Sequence, residues 1–175
     1  MRLHRAFLGL IIGLLLISCE TPGQPDWRKS NPARDETTSL NNLYERAQRN
    51  DYFAMVHLGW RYDTGIGVTK DPREAAGWYR MAAERGGHSM AQNNLGCLYR
   101  DGRGVIQDYK TAATLFRLSS EQGNRHAKTN LGWLYERGYG VEINYTESLR
   151  LYTEAATEWK NSENEKMTPG HPMAQ

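Results

Sequence analysis

Leu131-Gly132-Trp133-Leu134-Tyr135, followed by Gly138-Tyr139-Gly140-Val141, decides the fold, because the chain spells this phrase three times. Leu95-Gly96-Cys97-Leu98-Tyr99 with Gly102-Arg103-Gly104-Val105 comes 36 residues earlier. Leu58-Gly59-Trp60-Arg61-Tyr62 with Gly65-Ile66-Gly67-Val68 comes a further 37 residues before that. A fixed period of about 20–50 residues marks a stacked array whose units bury their cores against one another. Stacked arrays present extended surfaces, so the default expectation is a protein that holds another molecule.

The residues after each phrase define the unit. Asp71-Pro72-Arg73-Glu74 is followed by Ala75, Ala76, Trp78, Tyr79, Ala82 and Ala83. Asp71 reads as an N-cap, Pro72 as the first helical residue and Glu74 as the reciprocal cap. The second unit repeats the pattern with Asp108, Ala112, Ala113, Leu115, Phe116, Ser119 and Ser120. The third repeats it with Asn144, Ser148, Leu149, Leu151, Tyr152, Ala155 and Ala156. Each unit is therefore a helix bearing the phrase, a glycine turn at the helix end, and a second helix. Leu43-Tyr44 and Ala47 echo Trp78-Tyr79 and Ala82, so half a unit precedes the first. Seven helices are expected, in an all-α chain.

These residues resemble the Sel-1-like repeat family, a helical-hairpin relative of the tetratricopeptide repeat. The resemblance covers Ala54 to about Ala156 and implies a right-handed helical-hairpin solenoid of about three repeats that mediates protein–protein contacts. Two departures stand out. Gly86-Gly87 adds a residue between the first and second units, and Trp159 stands where Gly123 would recur, which marks the end of the array.

Arg2 and Arg5 precede an apolar run from Ala6 to Ile17. That run is shorter than the roughly 20 residues of a membrane span and suits the core of a secretory signal peptide. Leu16-Ile17-Ser18-Cys19 resembles the bacterial lipobox, which implies cleavage before Cys19 and acylation of that residue. Several acyl chains anchor stably where a single chain does not. Glu20, in place of the aspartate that retains lipoproteins at the inner membrane of enteric bacteria, implies the periplasmic face of the outer membrane. The expected organisation is a signal peptide over 1–18, a flexible tether over 19–37, the solenoid over 38–160 and a disordered tail over 161–175.

The chain has 22 basic and 20 acidic residues. Arg2 and Arg5 leave with the signal, so the mature chain is formally neutral and offers no basic footprint for nucleic acid. With Cys19 acylated, Cys97 is the sole remaining thiol; a small apolar helix residue or a redox site would both account for it. His57, His88, His126 and His171 form none of the close pairs of a helix-borne metal site. No serine-hydrolase elbow is present. The Gly-x-Gly turns lack the Gly-Lys-Ser/Thr of a phosphate loop. No catalytic residue, metal or cofactor is expected.

A partner would lie along the first helices. With Leu, Gly and Tyr packed inward, residues five and two before the Leu and two and five after it point to the groove. These are Phe53, Val56, Trp60 and Asp63, then Met90, Asn93, Cys97 and Arg100, then His126, Thr129, Trp133 and Glu136. Trp60 and Trp133 are either interface anchors or are packed between helices. The resemblance implies a non-enzymatic envelope lipoprotein. Small periplasmic relatives act as immunity proteins against type VI secretion phospholipase effectors. The other implied role is a structural or regulatory adaptor in envelope assembly or host interaction.

Overall fold

The computed structural model describes residues 36–167, with side chains from 40 to 157. Among them are seven helices and no strand: α1 Glu36–Gln48, α2 Tyr52–Thr64, α3 Pro72–Gly86, α4 Ser89–Asp101, α5 Tyr109–Glu121, α6 Arg125–Arg137 and α7 Tyr145–Met167. The expected signal segment, Cys19, most of the expected tether, the Trp159 side chain and the residues beyond Met167 lie outside what is described. Helix α1 begins one residue before the expected end of the tether. Helix α7 runs past Asn161, where the tail was expected to start. Ser162-Glu163-Asn164-Glu165-Lys166 contains no helix breaker; the first comes at Pro169-Gly170, and a proline disfavours helix in the residue before it.

Helices pair as hairpins, α2 with α3, α4 with α5 and α6 with α7. The phrase glycine makes each pairing close. A Cβ on Gly59 would stand 2.6 Å from the Tyr79 ring, and one on Gly96 2.7 Å from that of Phe116. On Gly132 it would stand 3.1 Å from Tyr152. The aromatic ring of the second helix therefore packs directly against a bare stretch of the first. Tyr79, Phe116, Leu58, Leu98 and Leu134 are fully buried, and each such side chain contributes about 1.5–3 kcal/mol of apolar burial.

The turn between the helices is fixed at both ends. Gly65, Gly102 and Gly138 close the first helices in the left-handed region, where a Cβ is costly. The side chains of Asp71, Asp108 and Asn144 accept from free amides at the start of the second helices. The reciprocal cap expected of Glu74 is not made. The Asp71 amide instead donates to the Tyr62 carbonyl at 2.8 Å, as Asp108 does to Tyr99 and Asn144 to Tyr135. The phrase tyrosine thus supplies the acceptor that a capping box would draw from glutamate, and Glu74 is left exposed.

Units join through two recurring contacts. The second turn glycine docks on the preceding unit's second helix: a Cβ on Gly104 would lie 2.3 Å from the Pro72 backbone, and one on Gly140 2.4 Å from that of Tyr109. Arg80 donates to the Tyr99 hydroxyl at 3.2 Å, and Arg117 donates to that of Tyr135 at 3.4 Å. Ala76 and Ala113 are buried. The half unit α1 continues the stack at the other end. Leu43 and Ala47 are buried, Tyr44 meets Trp78 edge-on at 5.8 Å, and its hydroxyl bonds that of Tyr62.

Candidate protein-binding ridge

The first helices α2, α4 and α6 lie side by side, and their facing side chains decide what remains accessible. Asn130 Nδ2 donates to Asn93 Oδ1 at 3.0 Å and approaches Cys97 Sγ at 3.7 Å. Arg100 donates to Asn130 Oδ1 at 2.9 Å. This network occupies the seam between α4 and α6. It buries Asn93 and Cys97, and Val56 is buried in the first unit. These three were expected to face a partner and do not. The position two before the phrase leucine turns toward the next first helix, not into the groove. Thr129, with no following unit among the described residues, stays partly exposed.

The remaining expected residues are at the surface or partly so. Phe53 is 59% exposed and meets His88 edge-on at 4.6 Å. Trp60 and Met90 are half-buried against the core. Asp63 pairs with Arg103 of the next unit, and the Tyr152 hydroxyl donates to Glu136 at 3.2 Å. All four charged or hydroxylated positions on the ridge are therefore held by intramolecular bonds: Asp63, Arg100, Glu136 and Thr129, whose hydroxyl donates to the Arg125 carbonyl at 3.1 Å. Burial, and then the neighbouring Arg125 guanidinium, push the His126 imidazole down to about 4. Burial also lowers His57 and His88.

Trp133 is the centre of the most elaborated part of the ridge. The guanidinium of Arg100 lies 5.9 Å from its ring centroid and that of Arg137 lies 5.3 Å away, both within cation–π range. Tyr139 meets Trp133 edge-on at 5.2 Å and stacks on Tyr109 at 4.7 Å. Arg100 is also held by both carboxylate oxygens of Asp101. The indole is thus fixed in place by cations and rings and remains partly exposed. Such a rigid aromatic-and-arginine patch has the make-up of an interface anchor, because little side-chain entropy is lost when it is covered.

Arg137, Tyr139, Tyr109 and Asn130 were not among the expected residues. Arg137 was legible as the residue four after Trp133, one helical turn along the same face. Tyr139 fills the variable place in the Gly-x-Gly turn, so its approach to Trp133 depends on how the turn folds back. Among the described residues, no group of His, Cys, Asp and Glu side chains gathers as for a metal ion. No described helix is long and apolar enough to cross a membrane.

The Sel1 repeat model matches residues 53–87, 89–124 and 125–158. A solved Sel1 repeat protein from Oxalobacter formigenes is 33% identical, with a TM-score of 0.62, over 73% of this chain and 96% of its own. A protective antigen of uropathogenic Escherichia coli strains, described as displaying an SLR fold, is also 33% identical, with a TM-score of 0.68. That likeness covers 76% of this chain and 29% of the Escherichia coli protein, so the chain spans under a third of that relative's length. No curated protein matches the chain.

Proposed function

We propose that this chain, which belongs to the Sel1 repeat family and is by that membership a protein–protein interaction scaffold, works as a lipid-tethered one in a bacterial envelope. The observation that carries the binding part is the Trp133 patch, fixed by Arg100, Arg137 and Tyr139 on the accessible side of the first helices. The tether rests on Leu16-Ile17-Ser18-Cys19 behind a short apolar run. The site proposed for it is the periplasmic face of the outer membrane, and the action proposed is capture without chemistry of its own.

The partner proposed is a phospholipase effector of a competing cell. A scaffold tethered at the bilayer meets such an enzyme at its substrate, where binding alone blocks access to lipid. Deleting the gene and challenging cells with the sibling's lipase effector tests this. Sensitised cells, together with binding of the purified effector to this chain and its weakening by Trp133→Ala, are the expected result. Unchanged resistance with no binding rules the effector out. The mass of the chain recovered from membranes tests the tether separately: acyl chains on Cys19 are expected, and an uncleaved or unmodified Cys19 rules the tether out.

A further inference from the structure

The turns joining first to second helices lie at one edge of the solenoid, with the N-termini of α3, α5 and α7. Every one of these turns carries an exposed isoleucine: Ile66 at 39%, Ile106 at 90% and Ile143 at 58%. Tyr139 and Tyr145 are exposed beside them. An isoleucine as open as Ile106 neither fills the core nor caps a helix. Three on one edge make an apolar rim.

The same edge receives the chain from the N-terminus. Short connections make successive helices antiparallel, so α1 runs parallel to α3, and Glu36 lies at the rim edge. Whatever pulls on the segment before Glu36 therefore pulls this edge. Sixteen residues lie between Glu36 and Cys19, and the tether expected of them from composition reaches roughly 20–25 Å. At that distance a second attachment is intramolecular, and weak contacts suffice to hold it.

We infer that this rim is the face the domain lays on the lipid bilayer, an inference that rests on the proposed acylation of Cys19. Isoleucine tips and tyrosine rings suit the boundary between headgroups and acyl chains. Positive charge does not drive the contact, because Lys70, Arg73, Arg103 and Lys110 stand among Asp71, Glu74, Asp101, Asp108, Glu142 and Glu147. Binding is therefore insensitive to the fraction of anionic lipid. Laid on its rim, the solenoid stands its helices on end, and the Trp133 patch opens sideways to a partner moving along the membrane.

The test uses the acylated full chain in vesicles of phosphatidylethanolamine and phosphatidylglycerol. Ile106→Cys, Ile143→Cys and, at the opposite edge, Gln122→Cys each carry an environment-sensitive fluorophore; Cys97 is buried and stays unlabelled. Brominated acyl chains are expected to quench the label several-fold more at 106 and 143 than at 122. The difference is expected to persist when phosphatidylcholine replaces phosphatidylglycerol. Equal quenching at all three positions overturns the inference. So does a signal at 106 that grows with protein-to-lipid ratio, which would mark a second copy as the occupant. The same labels on unacylated chain carrying Cys19→Ser, held to nickel-chelating lipid through an N-terminal histidine tag, read the rim alone, so its failure is distinct from a failure of acylation.

Discussion

The two internal joints and the outer face of α6 and α7 are built from equivalent positions, and they differ wherever a following unit would touch. Ala76 and Ala113 are buried, whereas the matching Leu149 is 58% exposed. Arg80 and Arg117 reach forward to a tyrosine hydroxyl; the matching residue is Thr153, with no tyrosine to meet. Met55 and Gln92 are buried, whereas the matching Lys128 pairs with Glu154 at 3.4 Å. Arg150 completes the surface by bridging Glu147 and Glu154. The Leu, Gly and Tyr of the phrase are the same throughout, so the difference lies in positions outside the phrase, on the first helix at Lys128 and on the second at Leu149 and Thr153. Paired charges around Leu149 disfavour the docking of another copy on this face.

Truncation should separate the two regions most. Phe116→Ala empties a fully buried site over Gly96 and should cost about 3–5 kcal/mol. Leu149→Ala on the last face should stay within about 0.5 kcal/mol. Denaturant titration of both variants checks the contrast.

Glycine positions should give the next largest difference. Gly140→Ala forces a Cβ against the Tyr109 backbone at φ +70°, for about 2–4 kcal/mol of left-handed strain and overpacking. Gly123→Ala has φ +80° and nothing within 4 Å, so strain alone, about 1–2 kcal/mol, remains. Thermal unfolding should rank them in that order.

Giving the last face internal identities should break its closure. Lys128→Gln, Leu149→Ala, Thr153→Arg and Glu154→Leu together remove the ion pair and restore an apolar slot. Sedimentation velocity should then show concentration-dependent self-association absent from the wild type.

Acid should act on the histidines along the first helices and first joint. His57, His88 and His126 have folded pKa values below the unfolded value, so the unfolded chain binds protons first as pH falls. Their stabilisation is full above about pH 7 and is lost as pH drops through about 6.5, continuing toward 4 for His126. His126→Gln should flatten the lower part of that profile in a pH series of melting temperatures.

The fold was legible because its signals are local. Helix caps, turn glycines and the 36- to 37-residue period each sit within a few residues of what they specify. The ridge was legible only in part. Helical spacing identified the side of α4 bearing Asn93 and Cys97, but whether that side faces a groove or a neighbouring helix depends on the angle between successive units. No single helix encodes that angle. Arg100 over Trp133 is a contact between units 33 residues apart, made possible by the close docking of Gly140 on α5. The Glu74 cap failed for a similar reason, since the Tyr62 carbonyl had already taken the amide.

The central claim is that a partner protein lies on the first-helix ridge around Trp133. Photo-crosslinking residues placed singly at Phe53, Arg137, Leu118 and Leu149, in otherwise native chain in intact envelopes, test it most directly. The account predicts that one partner is captured at Phe53 and Arg137 and is missed at Leu118 and Leu149. Capture of that partner at Leu118 or Leu149 with none at the ridge would contradict it.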